Sequence, residues 1–225
     1  MKGSSYFTSE TFAFLRQLRD NNNRDWFLTN KELYERVVRD PALRFISDFG
    51  PRLAKIAPRL VADARPSGGS LFRIYRDTRF SRDKSPYKTQ IGIHFFHQSA
   101  KKAPSVPGVY LHISSEQSFA AAGIWHPDPA ALARVRHAIA ARPDEWKEVR
   151  RSRLPIEGGS LKRAPKGFAP DHPLIEDLKR TDFVTSVPLT EKEVCSSDFM
   201  SDFSSASRKM TPLVRFVTKA LGLPW

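Results

Sequence analysis

The sequence predicts an α+β fold: a single domain over residues 1–225, with a mainly antiparallel sheet of about five strands packed by N-terminal and C-terminal helices. Three observations predict it. Apolar residues recur at helical spacing over residues 7–60 and again after Trp125. Between them lie short β-branched or aromatic runs bounded by turn residues, which is how strands read. No repeat or linker divides the 225 residues, and 40% hydrophobic content with 16 Phe suits one sizeable core.

The helical part, 7–60, begins at Thr8, a good N-cap, with Glu10 in the first turn and Phe7 and Phe12 placed as a hydrophobic staple. Phe12, Leu15 and Leu18 continue the apolar stripe, and Asn21-Asn22-Asn23 ends this helix and caps the next. The second helix carries Trp26, Phe27, Leu33, Tyr34 and Val37. Asp40-Pro41 reads as N-cap and N1 of a third, through Leu43, Ile46, Leu53 and Ile56, which Pro51 is expected to kink or break.

The sheet-forming part, 71–125, holds four predicted strands: Leu71 to Tyr75, Ile91 to Phe96, Val109 to Ile113 and Phe119 to Trp125. Ser114 to Gln117 reads as a hairpin loop, and Gln98 to Pro107 as a polar loop too short to separate domains. Helices and an irregular segment fill 127–180, opened by Pro127-Asp128-Pro129 and by Pro143-Asp144-Glu145. A fifth strand is expected over 183–188 and a C-terminal helix over 197–221, interrupted near Pro212.

Composition narrows the function classes. No apolar run approaches the roughly 20 residues that cross a bilayer, and Met1 to Tyr6 lacks the apolar stretch of a secretory signal. Cys195 is the one cysteine, so neither an internal disulfide nor a multi-cysteine zinc site can form. These features predict a cytoplasmic protein without a membrane partner. The net charge of +13 favours anionic partners, although arginine-rich composition alone also produces such a charge.

Clustering says more than the total. Phe72 to Thr89 holds Arg73, Arg76, Arg79, Arg82, Lys84 and Lys88 against Asp77 and Asp83, interleaved with Phe72, Tyr75, Phe80 and Tyr87 and with hydroxyls including Ser81. Guanidinium forks grip phosphate or carboxylate in pairs of hydrogen bonds, lysine adds a point charge, and hydroxyls complete the shell. Arg73 and Tyr75 would share one strand face, Ile74 and Arg76 the other, so an inward arginine needs a partner. The expected ligand-binding set is Arg73, Tyr75, Arg76, Arg79, Ser81, Lys84, Tyr87 and Lys88, with Trp125 at a pocket rim. The competing reading is a solvated loop whose arginines pair with helix carboxylates elsewhere in the chain.

No motif fixes a reaction, so whether the protein is an enzyme stays open. Asp77, His94 and His112 are the acid/base candidates, since His94 and His112 lie on adjacent predicted strands, although structural roles for the histidines compete. Metal-ligand spacing, a phosphate loop, a Gly-x-Ser-x-Gly elbow and cofactor motifs are all missing, so no metal and no cofactor are expected. Cys195 reads as a packed thiol. Lys147, Arg150, Arg151 and Arg153, then Lys162, Arg163 and Lys166, form a second basic run, whose Gly/Pro turn reads equally as a lid or a solvated loop.

Four blocks resemble a known family: Asn22 to Phe27, Phe72 to Thr89, Gly123 to Pro127 and Leu161 to Phe168. In them the chain resembles the domain-of-unknown-function family 2461. That resemblance implies one family-wide domain of mixed α and β structure, mostly bacterial with fungal relatives, and carries no activity to these residues. The Gln98 to Pro107 loop reads as longer than is usual there.

Two functions follow as expectations. One is a site for a small phosphorylated or carboxylated molecule. The other is a nucleic-acid-binding module in which the same basic, aromatic-interleaved surface tracks a backbone and stacks bases. The sequence leaves the oligomeric state undetermined.

Overall fold

Strand pairing organises the chain. In the computed structural model, which describes residues 5–101 and 105–225, five strands form one antiparallel sheet in the order β1-β2-β3-β4-β5. They are β1 (Leu60–Val61), β2 (Gln90–His97), β3 (Gly108–Ser114), β4 (Ser118–Ile124) and β5 (Phe183–Leu189). The reading of the N-terminal leader and of the middle of the Gln98 to Pro107 loop falls partly outside the described residues.

Helices before and after the sheet cover one of its faces. The N-terminal group is α1 (Ser9–Asp20), α2 (Arg24–Thr29), α3 (Lys31–Tyr34) and α4 (Asp40–Ile56). After the sheet's first four strands come α5 (Pro129–Ala141), α6 (Pro143–Arg150) and α7 (Ile175–Leu178), and after β5 come α8 (Glu191–Val194) and α9 (Phe199–Ala220). Strand alternation sends Ile91, Ile93 and Phe95 of β2 and Val109, Leu111 and Ile113 of β3 to this covered face, where each is buried. Phe95 meets Phe49 of α4 at 4.8 Å and Phe203 of α9 at 6.0 Å between ring centroids. A second apolar cluster, built on Trp146, Val135, Ile139 and Phe183, shares α9 with the first through Leu213, Phe216 and Val217.

Three local expectations differ from the structure, each for a stated reason. Leu71 to Tyr75 is not a strand. It makes isolated bridges, Leu71 to Ile93 and Tyr75 to Tyr87, and the fifth strand of the sheet is β1 instead. Past Leu71 the chain turns away to bond its own returning arm: the Lys88 N–H donates to the Ile74 carbonyl and the Arg76 N–H to Pro86, which has no N–H to return.

Asp40 opens α4 with Pro41 in the first turn, but it does not cap a free helix end. The chain runs from α3 through a π-helical stretch, Glu35–Arg39, straight into α4. Pro41 brings no N–H to the Val37 carbonyl four residues back, and that carbonyl accepts the Thr11 hydroxyl of α1 at 2.8 Å. Finally, α4 continues through Pro51 and α9 through Pro212 without a break, because burial of their apolar stripes outweighs one lost hydrogen bond each.

Candidate functional site

The other face of the sheet carries no helix layer. Pairing lays its residues out in rows across the strands: Gly92, His112, Phe119 and Pro188; then His94, Tyr110, Ala121 and Ser186; then Phe96, Gly108, Gly123 and Val184. Small residues cluster in the middle, at Gly108, Ala121 and Gly123, and rings stand around them. Two of these glycines are needed for the rings to fit. A Cβ on Gly108 would lie 2.4 Å from His94 Nε2, and one on Gly92 would lie 2.7 Å from the Tyr110 hydroxyl. The result is a cavity of about 670 Å³, floored by this face and walled by Phe72, Trp125 and Glu157. That volume suits a small ligand.

The floor is polar in a restrained way. The His94 imidazole is largely buried and makes no hydrogen bond among the described residues, and burial pushes it down to about 4. It is therefore neutral at physiological pH. The Tyr110 hydroxyl lies 3.3 Å from His112 Nδ1, and the His112 ring stacks on Phe119 at 4.7 Å. Burial raises the Tyr110 hydroxyl and lowers the His112 imidazole, so both are uncharged. His94 and His112 thus share a face, with Tyr110 between them. At the β5 side the Ser186 hydroxyl donates to Glu157 Oε1 at 2.7 Å.

The walls are held in place by one buried carboxylate. Asp182 accepts the His126 N–H at 2.7 Å, the Gly159 N–H at 3.1 Å and the Thr181 hydroxyl at 3.0 Å. Burial alone would raise its carboxyl, but these donors outweigh burial and hold it below the usual carboxylate range. One end of this clamp fixes the turn after Trp125, where His126 takes the left-handed φ of 46°. The other fixes Gly158-Gly159, next to Glu157. A Cβ on Gly158 would lie 2.3 Å from that of Asp182.

The cationic loop stands beside this cavity and mostly satisfies itself. Arg76 pairs with Asp83, Arg79 with Asp77 at 2.7 Å, and Lys84 Nζ donates to the Thr78 carbonyl at 2.9 Å. The Arg76 guanidinium, then the Ser85 hydroxyl and N–H, hold the Asp83 carboxyl well below its usual range. Tyr87 is buried, stacked on Phe27 at 4.1 Å and pinned by Asn22, whose side chain bonds both its N–H and its carbonyl. Tyr75 packs against Tyr87, and Ser81 is half-buried in the turn.

Arg73 and Lys88 are different. Neither has a carboxylate within ion-pair distance among the described residues. Lys88 Nζ lies 5.3 Å from the centroid of Phe72, a cavity wall. Burial first, and the neighbouring Arg73 charge second, push the Lys88 ammonium below its usual value.

The model of the family described as a conserved hypothetical protein, DUF2461, matches residues 10–216. The chain belongs to the DUF2461 family. No curated protein and no solved structure matches it. In this DUF2461 chain the expected site residues divide into three groups. His94 and Trp125 line the cavity, while His112 supports it through Tyr110. Arg73 and Lys88 lie at or near its Phe72 edge. Asp77, Arg76, Arg79, Lys84 and Tyr87 are engaged within the loop or its packing. Of the expected ligand-binding and acid/base residues, His94 and Trp125 are the ones that line this cavity.

Sequence reasoning missed Tyr110, Phe119, Glu157 and Ser186. A signal existed for the first two. Alternate positions on β2 and β3 read His, Phe, Tyr, His with glycines between, a face neither apolar enough for a core nor charged enough for solvent. Glu157 lies in an irregular segment and had none. Lys162, Arg163 and Lys166 line no part of the cavity, and Phe168 packs against His137 of α5 at 5.4 Å. Cys195 is half-buried, and burial raises its thiol. Among the described residues no group of three or more His, Cys, Asp or Glu could hold a metal ion, and no helix is long and apolar enough to cross a membrane. A smaller cleft of about 480 Å³ lies between α1 and α4, but its cations are satisfied locally: Arg36 pairs with Glu10 at 3.3 Å and Arg44 donates to the Ser5 carbonyl.

Proposed function

We propose that the uncovered face of the sheet binds a small molecule with a flat apolar body and an anionic group, the anion held by Lys88 and Arg73 at the Phe72 edge. The observation that carries this is a pair of cations with no carboxylate in ion-pair distance among the described residues, beside an aromatic-walled cavity and in a loop where Arg76 and Arg79 are matched. An anionic group arriving there would relieve the like-charge contact and gain charge-assisted hydrogen bonds of about 1.5–3 kcal/mol each. Phosphate and carboxylate both fit this chemistry. For proton transfer to such a ligand, neutral His94 is the available base and the Tyr110 hydroxyl, ordered by His112, the available donor. Asp77 does not reach them through any described contact.

The test uses 8-anilinonaphthalene-1-sulfonate, a fluorescent aromatic anion, with inorganic phosphate as the bodiless comparison. Wild type is expected to bind the dye stoichiometrically while folded and phosphate far more weakly. Lys88→Ala with Arg73→Ala is expected to weaken dye binding about tenfold or more. Ala121→Trp, which fills the floor, is expected to abolish it. Dye affinity untouched by the double variant would end the anion assignment, and affinity untouched by Ala121→Trp would end the cavity assignment.

A second reading, nucleic-acid binding, is favoured by one observation. Phe80 is 95% exposed at the tip of the loop, with the Arg79 guanidinium 5.8 Å from its ring centroid. A base stacked on Phe80 would sit beside Arg79 and Arg82, the latter in no ion pair among the described residues. This reading expects binding of single strands that falls steeply with salt and is lost in Phe80→Ala. A gel shift with no retarded band at physiological salt would dismiss it.

A further inference from the structure

The cavity has a second charged end. Glu157 lies on its β5 side, where one carboxylate oxygen accepts the Ser186 hydroxyl at 2.7 Å. No Lys, Arg or His nitrogen pairs with Glu157 among the described residues, although the chain carries a net charge of +13. What the Glu157 carboxylate bonds is a hydroxyl rather than a cation, and it opens on the cavity. At the opposite side stand Lys88 and Arg73, which have no carboxylate in ion-pair distance among the described residues. The ends are placed by the sheet: Phe72 packs over β2 against His94 and Tyr110, at 6.2 and 5.8 Å, while Ser186 lies on β5. Three strand spacings separate β2 from β5, roughly 14 Å.

We infer that the ligand is a zwitterion lying across the strands, with its amino group against Glu157, its anionic group against Lys88 and Arg73, and an apolar body over Ala121. This rests on the small-molecule reading above and adds to it the ligand's second charge and its length. Each end supplies what the other lacks, and a ligand reversed end for end would meet like charges at both. The neutral floor fits the same assignment, because uncharged His94, Tyr110 and His112 neither compete with the ends nor repel either charge. A free, apolar tetrapeptide spans roughly 13 Å when extended and carries one charge at each terminus, so it is the plainest molecule of this class.

The experiment is a competition titration against 8-anilinonaphthalene-1-sulfonate using the free tetrapeptide Ala-Phe-Leu-Ala, its N-acetyl form and its C-terminal amide. The free peptide is expected to displace the dye, and each blocked form to need about tenfold more. In Glu157→Gln, an exposed substitution that leaves the backbone bonds intact, N-acetylation is expected to make no further difference while amidation still does. An N-acetyl peptide that binds wild type as well as the free one overturns the zwitterion, and persisting sensitivity to the amide leaves the anion site standing. If no peptide displaces a dye that still depends on Lys88 and Arg73, the second charge and length are wrong and the cavity is right. Failure of the dye itself to depend on Lys88 and Arg73 overturns the reading beneath both.

Discussion

The two faces of the sheet are made by the same strands and could hardly be built more differently. On the covered face, Ile91, Ile93, Phe95, Val109, Leu111 and Ile113 are all at most 3% exposed and meet α4 and α9. On the other, His94, Phe96, Tyr110, His112 and Phe119 are half-buried with no helix above them. An antiparallel sheet with one solvated face normally carries charged or strongly polar residues there. Positions 92 to 96, 108 to 112 and 119 to 123 of this face hold only rings, imidazoles, glycine and alanine. Rings with uncharged polar tips tolerate both water and an apolar guest, and glycine and alanine leave space for one. One face is specified for permanent packing and the other for contact that comes and goes.

The largest expected effect tests the permanence of the covered face. Phe95→Ala should cost about 3–5 kcal/mol in urea unfolding, since it opens a cavity between α4 and α9. Phe119→Ala on the open face should cost only about 1–2 kcal/mol, mainly the lost stacking on His112. Equal costs would mean that the open face is core after all, and the contrast between the faces would collapse.

Acid tests the same contrast through His94. Its folded-state imidazole titrates at about 4, below the ordinary value of 6.5 that it regains on unfolding. Between those pH values the unfolded chain binds the proton and the folded chain does not, so stability falls as pH falls through that window. The slope of about 1.4 kcal/mol per pH unit gives a loss of ~3 kcal/mol by pH 4. In His94→Gln this part of the acid sensitivity should vanish, which a comparison of urea midpoints at pH 7 and pH 4.5 measures. An unchanged pH dependence would place His94 in water rather than in a desolvated floor.

A Cβ at position 108 sharpens the picture of the floor. Gly108→Ala would press on His94 Nε2 and also on the Phe95 carbonyl, 2.6 Å away. The imidazole can swing aside but the strand backbone cannot, so a cost of about 1–3 kcal/mol is expected, only partly recovered by adding His94→Ala. Full recovery would show that the ring alone set the limit.

These contrasts explain what was legible in advance. Four of the five strands read correctly because period-two alternation is local: Ile91 to Phe96 was expected where Gln90–His97 forms, and Phe183 to Pro188 where Phe183–Leu189 forms. The N-cap at Thr8 and the Asn23 cap of α2 were likewise fixed by neighbours in sequence. Leu71 to Tyr75 misled because its residue types suit a strand, while its pairing was decided by Pro86 on an arm eleven or more residues away. Asp40-Pro41 misled because the Thr11 hydroxyl that satisfies Val37 comes from another helix. The site was legible only in pieces. His94, His112, Trp125 and Lys88 stood out by residue type, but Glu157 enters through the Asp182 clamp, a tertiary contact that no spacing announces.

The smallest expected effect concerns the loop that first drew notice by its charge. Arg79 and Asp77 pair at 2.7 Å, with side chains 77% and 43% exposed. Arg79, through its guanidinium first and its backbone N–H second, holds the Asp77 carboxyl below its usual range. In water such a pair exchanges solvent contacts for each other and pays in side-chain freedom, so the net gain is close to nothing. Asp77→Asn should leave the unfolding midpoint where it is, at low salt and at 1 M salt alike. It should also leave dye binding in the cavity unchanged, because Arg79 lies outside it, whereas Lys88→Ala weakens the dye without any ion pair being lost. If Asp77→Asn instead strengthens dye binding, the freed Arg79 reaches the cavity edge, and the division of the loop into matched and unmatched cations has to be redrawn with Arg79 beside Arg73.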